Sequence, residues 1–581
     1  MRQHILATAL AAAVTALAYG QNLNPTVEVT NAYESGAAAI AKPAQQMAVP
    51  DSVTRFNLDF DYSVFEKPYQ GAYEFSPYYV QLKPAPKVST TEKFYLRAGA
   101  GFTLHPELDL VWTPIQQEKY RLNVYATHHS YFGRYHKMQS AYQDNVVTFE
   151  KSGEKVNGYL ADTKAGVDGA YGWDGGVATL DIGYRQRMAD NAYHYQKMGG
   201  IEAKGRVRSL PSDEPHFLYD AAVKYHFMNS DLSHMDRFTQ DISESAFNLD
   251  GTFGPVLDEN HRFLVDMDLD LARYRGDKTG YTGLLSATPK YQFEADRWRL
   301  SLGVKVAAII YSDEFDLWEE AYRHKSGTVF PDVHVDYHLL DDRLILQASA
   351  TGGDRFNSFS GRFFSRPFTY DGAFGHSTER IRAMIGARGN IASRFRYDFQ
   401  AGYARWAHAA MDGFFLGDYT VSGGILPVLP AQYEQSFNLA FAELDYGWKS
   451  ESVTVDGKMA YRWTNIKECL DDGGVFAPAA FTGFIRPAYN WGDRFKVGLD
   501  AEWSTARRLG IAADGTLIMT GSNIGYRIPG WVDLGLFAEY RFTHNFGFWA
   551  KGGNLLDQVV QRTPLVAEAG MYFTAGIVLN F

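Results

Sequence analysis

The chain has 581 residues, and its 56 Lys and Arg against 67 Asp and Glu give a formal net charge of −11. That balance argues against nucleic acid as a partner, and the single Cys rules out an internal disulfide framework. Mean hydropathy is −0.28, and beyond the amino terminus no stretch approaches the roughly 20 apolar residues of a membrane helix.

Residues 1–20 read as a signal peptide. Arg2 and His4 precede an Ala-rich apolar stretch from Ile5 to Leu17, the size of a signal core and too short to span a bilayer as a helix. Cleavage before Gln21 is expected. Lipid anchoring would need a Cys just after this core, and the only one is Cys469. Residues 21–50 read as a periplasmic linker, with Gly36-Ala37-Ala38-Ala39, Pro43 and Pro50, and they hold one extended segment, Pro25-Thr26-Val27-Glu28-Val29-Thr30. Residues 51–92 are rich in aromatics (Phe56, Phe60, Tyr62, Phe65, Tyr69) and broken by Pro68, Pro77, Pro84 and Pro86. Disordered linkers are poor in aromatics, so this segment is expected to dock rather than to remain coil.

From 93 to 581 the chain reads as strands and little else. Side chains alternate across a strand with period two. In His261–Tyr274, Phe263, Val265, Met267, Leu269 and Leu271 oppose Asp266, Asp268 and Asp270. In Trp298–Ile310, Leu300, Leu302, Val304 and Val306 oppose Arg299, Ser301 and Lys305. In Phe495–Trp503, Val497, Leu499 and Ala501 oppose Lys496, Asp500 and Glu502. In Trp531–Phe542, Val532, Leu534, Leu536 and Tyr540 oppose Asp533, Glu539 and Arg541. Short polar corners suited to tight hairpins recur, among them Trp173-Asp174-Gly175-Gly176, Ala295-Asp296-Arg297-Trp298, Asp341-Asp342-Arg343-Leu344 and Gly492-Asp493-Arg494-Phe495. Between them lie longer connections, expected at 131–157, 311–328, 352–376, 407–432, 466–475, 508–528 and 555–567. Short turns alternating with long loops match the periplasmic turns and extracellular loops of outer-membrane barrels. The last strand puts Met571, Phe573, Ala575, Ile577, Leu579 and Phe581 on one greasy face.

The alternation by itself fits a soluble sandwich as well as a barrel; the signal peptide and the terminal strand decide for lipid. The fold expected is all-β, a transmembrane antiparallel up-and-down barrel of about 22 strands, with polar lumen-facing residues diluting the mean hydropathy and aromatics forming girdles. Its terminal Phe581 resembles the carboxyl-terminal insertion signal of bacterial outer-membrane barrels. Trp549-Ala550-Lys551-Gly552-Gly553-Asn554-Leu555-Leu556-Asp557-Gln558 resembles the segment before the final strand of TonB-dependent receptors, and Pro25 to Thr30 resembles a TonB box. The resemblance covers the barrel, 93–581. It implies residence in the outer membrane, handling by the barrel-assembly machinery, contact with outer-membrane lipids, and a TonB-type energiser or other periplasmic protein as partner. Segment 21–92 is too short for the family's plug domain, which puts active uptake in doubt.

No G-x-S-x-G, H-E-x-x-H or Walker loop is present. His128, His129 and His136 could ligate a metal, but polar surface is the favoured reading. The same holds for the acidic stretch Asp313, Glu314, Asp316, Glu319 and Glu320. Cys469 has acidic neighbours, Asp471 and Asp472, which disfavour a thiolate. No cofactor and no enzyme activity are expected. Two functions remain. In the first, the barrel passes or binds a solute, with selectivity set by lumen-facing Asp266, Asp268, Asp270, Lys496, Asp500, Glu502, Asp533, Glu539 and Arg541. In the second, it is a non-transporting envelope scaffold whose segment 51–86 recruits a periplasmic partner.

Overall fold

A computed structural model describes residues 93–581 apart from 103–104, 144–145, 191–193, 211–215, 235–237, 313–327, 366–374, 417–427, 467–472, 493, 509–524 and 564–565. The signal peptide, the linker with Pro25 to Thr30, segment 51–92, Asp313 to Glu320 and Cys469 lie outside the described residues.

Each stave of the barrel pairs antiparallel with the next stave in chain order, joined alternately by a tight corner and by a longer connection. The ring is closed when the first strand, Phe94–Phe102, pairs with the last, Tyr572–Asn580, from Tyr95↔Asn580 to Phe102↔Phe573. Closure leaves no free sheet edge, the condition for strands to live in lipid. Of the 26 strands, 22 form the staves of this closed barrel. The other four, Phe238–Gln240, Gly473–Val475, Arg507–Arg508 and Gly525–Ile528, are short and sit in the connections at one end. Phe581 is held at the seam: its carbonyl accepts from the Phe94 amide at 2.8 Å and its own amide donates to the Phe94 carbonyl at 2.8 Å.

The alternation in the sequence becomes two surfaces. Phe263, Val265, Met267 and Leu271 are exposed while Leu264, Ala272 and Tyr274 on the opposite face are buried. Leu302, Val304 and Val306, each close to half exposed, continue the outer face. In the last strand Phe573 is 52% exposed and Thr574 2%. A soluble protein would not leave so continuous an apolar band in water; an outer-membrane barrel turns it to lipid, over the 9–11 residues a tilted strand needs to cross. Aromatic rings edge the band at the short-turn end. Tyr120 and Tyr171 face each other in register with centroids 5.0 Å apart, and Trp298 and Tyr337 at 4.6 Å. The corners are the expected ones: Trp173 pairs with Gly176, Ala295 with Trp298 and Trp491 with Phe495. At the corner before Phe395, Ala392 and Ser393 both take positive φ, +53° and +56°, the hand that follows strand twist in tight hairpins.

Two expected connections are not loops. Strands Tyr120–Gln143 and Val146–Trp173 pair from Tyr120↔Tyr171 to Gln143↔Val146, so most of 131–157 is a hairpin standing far beyond the membrane. At about 3.3 Å per residue the longer strand reaches roughly 90 Å. Phe395–Leu416 and Val428–Lys449 likewise run through most of 407–432. The long-loop end therefore presents more structure than loop lengths suggested. His128, His129 and His136 lie inside a strand, not where one enters a loop.

Candidate functional site: the lumen wall and its cap

The inner face carries charges, and the wall is built by pairing them across neighbouring strands. Asp266 accepts from Lys290 at 2.5 Å and from Thr252 at 2.7 Å. Asn248 donates to both Asp268 (3.2 Å) and Asp270 (2.9 Å). Asp500 accepts from Arg486 at 3.1 Å. Arg541 donates to Glu539 at 2.8 Å, and Lys496 lies opposite Glu539 in register. Glu502 and Asp533 meet on one cation, Arg562, which comes from a connection rather than a strand. Sequence reading missed Arg562 because alternation says nothing about side chains outside strands. It also missed wall pairs such as Arg388–Asp336 at 2.6 Å and Lys551–Glu107 at 2.6 Å, whose partners are far apart in the chain.

The candidate metal histidines diverge. His129 points inward, 3.2 Å from Asp109, while His128 on the opposite face bonds Thr163 at 2.8 Å. His136 bonds Asp557 at 3.1 Å. Among the described residues no group of three His, Cys, Asp or Glu side chains is set to hold a metal ion.

Two segments cover the lumen at the long-loop end. The first is the helix Phe359–Ser365. Ser358 caps it, accepting from the Gly361 amide at 3.1 Å. Phe359 and Phe363, four apart, fall on one side of the helix; with Phe364 they are buried against Met198, Met228, Ile242, Ala246, Ala272 and Tyr274 of the facing wall. Glu244, fully buried on that wall, receives the Ser360 amide at 3.2 Å, the Ser360 hydroxyl, and His226 Nε2 at 2.6 Å. Both Ser360 and Glu244 reach the same ring nitrogen of His226. That makes a clamp on the helix start, not a nucleophile–base–acid relay, which needs the two ring nitrogens to serve different partners. At the other end Arg187 donates to the Phe364 carbonyl at 2.5 Å while its other nitrogens hold Asp162, and Arg185 lies 3.8 Å above the Phe364 ring.

The second segment is the strap that joins Phe546–Gly553 to the last strand. Asn554 and Asp557 start it with φ of +44° and +46°, the left-handed region that Asn and Asp tolerate best. The Asn554 amide then ties Gln558 and Ala569 together through their carbonyls at 2.8 and 3.0 Å. This is why Asn and Asp stand at those places. Asp557 accepts from Lys155 (2.9 Å), His136 and the Met571 amide, joining the strap to the projecting hairpin. Burial alone would raise its carboxyl; those donors win and bring it to about 2. Further along, Gln561 donates to the Phe149 carbonyl at 3.2 Å and Val566 packs on Ala189. Arg562 bonds Glu502 (2.7 Å), Asp533 (2.9 Å) and Glu568, with Trp531 beneath it at 5.0 Å. Burial pushes the Glu568 carboxyl up to about 7, helped by Asp533 and Glu502 and opposed by Arg562. Some 31% of that side chain still meets solvent, which screens part of the effect. The short strand Gly525–Ile528 completes the cover, pairing parallel with Val146 to Thr148.

No family model matches the sequence, and no curated protein does. Solved structures do match. The FrpB iron transporter of Neisseria meningitidis (F3-3 variant) is similar with a TM-score of 0.62 at 9% identity, over 85% of this chain and 82% of that one. The copper transporter OprC is similar at 0.58 and 14%, over 84% and 80%. The siderophore receptor PirA of Acinetobacter baumannii is similar at 0.57 and 10%, over 84% and 80%. At these identities the likeness is one of fold: the described chain shares the large closed β-barrel of these transporters and receptors.

Proposed function

We propose that the barrel passes or binds a solute across the outer membrane. The observation that carries this reading is the inner wall: a continuous lining of paired Asp, Glu, Lys and Arg behind an apolar exterior, which is the interior a wet lumen needs and a dry one would penalise. The neighbours in fold are transporters and receptors for copper, iron and siderophores, not enzymes, which supports transport over catalysis without naming a substrate. Of the charges that would set selectivity, Asp266, Asp500, Glu502, Asp533, Glu539 and Arg541 are ion-paired and would act through displacement of a partner, while Asp268 and Asp270 are held by the neutral Asn248 amide and Lys496 lies opposite Glu539 in register. Energising through Pro25 to Thr30, docking of residues 51–92 at the short-turn mouth, and recognition of Phe581 by the assembly machinery belong to the same reading.

The cap favours a second reading, an envelope scaffold with a periplasmic partner on 51–86, because so much of the long-loop mouth is packed. Liposome swelling separates them. A chain lacking residues 21–92, with 358–374 replaced by a short Gly-Ser turn, should admit small sugars. If this stripped barrel stays impermeable while folded, passage is untenable and partners of 51–86 should be sought.

A further inference from the structure

We propose that the helix Phe359–Ser365 is a stopper latched at both ends by the barrel wall, Glu244 at its start and Arg187 at its end, and that releasing this latch opens the lumen. The proposal rests on the passage reading, and it puts the closing element in the chain's own long connections rather than in the segment before the first strand.

Three observations converge. The helix is short, and a free helix of this length would not form in water, so its order comes from the wall. Its aromatic face and its end lie against residues of five different wall strands: Arg187 belongs to one end of Gly176–Asp190, and Met198, Met228, Ile242 and Tyr274 to the four staves that follow. The connection that carries it leaves Leu344–Asn357, well around the ring from those staves, so the segment must cross the mouth to reach them. Finally, polar contacts from the wall hold both helix ends. Glu244 receives two hydrogens of Ser360 where the helix has unpaired amides, and Arg187 donates to a terminal carbonyl where it has unpaired acceptors. Wall and helix thus complete each other's hydrogen bonding. A surface loop resting on a rim has no need of a fully buried carboxylate beneath it. The strap adds a second tie, through Arg562 to Glu502 and Asp533, on the other side of the mouth.

Glu244→Gln keeps the shape and Arg187→Gln shortens the side chain; together they remove both charges of the latch, the second also releasing Asp162. Phe363→Ala loosens the apolar face by a different route. Arg273→Gln, on the outer face and exposed, is the control. Each is made in the full chain, checked for folding by heat-modifiable migration, and recorded in planar bilayers as single-channel steps in KCl. Charged hydrogen bonds shift a two-state equilibrium by roughly tenfold or more each. The double variant is therefore expected to spend at least about tenfold more time open than the unaltered chain, with Phe363→Ala moving the same way and Arg273→Gln unchanged. If the folded latch variants match the unaltered chain in open time, the stopper proposal is overturned. Should the stripped barrel still swell liposomes in that event, passage stands and only the location of the gate is wrong.

Discussion

Arg562 is where one side chain does most to hold the long-loop end together. It is 13% exposed and faces three carboxylates, Glu502, Asp533 and Glu568. Burial works against its charge, but the three carboxylates prevail and raise its pKa above the ordinary range, Glu568 and Glu502 most and Asp533 after them. Removing the cation leaves three part-buried carboxylates without it; a fully buried pair costs on the order of 3–5 kcal/mol to break, and solvent screening puts the cost here below that. Arg562→Met should therefore abolish amide-exchange protection across 554–571 while leaving the staves protected; unchanged protection would refute the role. Glu568 adds a pH dependence. Its carboxyl is raised in the folded state, so its contribution to strap stability is complete below the ordinary carboxylate range and is lost as pH rises through about 7. Exchange protection of the strap, corrected for intrinsic rates, should fall between about pH 4.5 and pH 7 and change little above that, and Glu568→Gln should flatten that change. Glu502 and Asp533 were legible in the sequence as lumen-facing charges, but Arg562 and Glu568 were not. Arg562 and Glu502 are 60 positions apart, and no periodicity links a connection to the wall it folds onto.

Among the elements, the strands were legible because their instruction is local. From Phe263 to Leu271 every second residue is apolar, and the strand turns those residues outward. The corners were legible for the same reason, since Asp174-Gly175 and Asp296-Arg297 have no other use between two such runs. The helix was not. Phe359 and Phe363 have helical spacing over too few residues to stand out, and what orders them is Glu244, Ala272 and Tyr274 of distant strands. Stretches 131–157 and 407–432 misled for a related reason: beyond the apolar band neither face of a hairpin needs to be greasy, so the strict alternation that marks a stave is missing there. The segment Asn554 to Asp557 was flagged by resemblance, and its physical content emerges only with the strap's left-handed turns. At this scale the account predicts that Phe363→Ala, which removes a buried ring at a cost of roughly 3–5 kcal/mol, exposes Arg362 to trypsin. A folded barrel whose chain remains uncut between Arg362 and Phe363 would speak against the packing described.

For the whole molecule, lipid outside and water inside explain how a chain of low mean hydropathy can be a membrane protein. The rule is directional and has a measurable cost. Val304 lies in the middle of Trp298–Tyr311, on the outer face, beside inward Ser301 and Lys305. Arg at a lipid-facing midplane position costs about 2–4 kcal/mol. Val304→Arg should lower the folded fraction in lipid refolding titrations by that amount, whereas Ser301→Arg should cost far less; equal losses would mean that the two faces are not what the alternation implies.

The most direct test uses that alternation itself. In a Cys469→Ser background, single cysteines at 263 through 271 would carry a small fluorophore, and the barrel would be refolded into brominated lipid. Strong quenching at 263, 265, 267, 269 and 271, with weak quenching at 264, 266, 268 and 270, is the predicted result. Quenching without regard to parity, or strongest at the Asp positions, would contradict a barrel that faces lipid with one side of each strand and a charged lumen with the other.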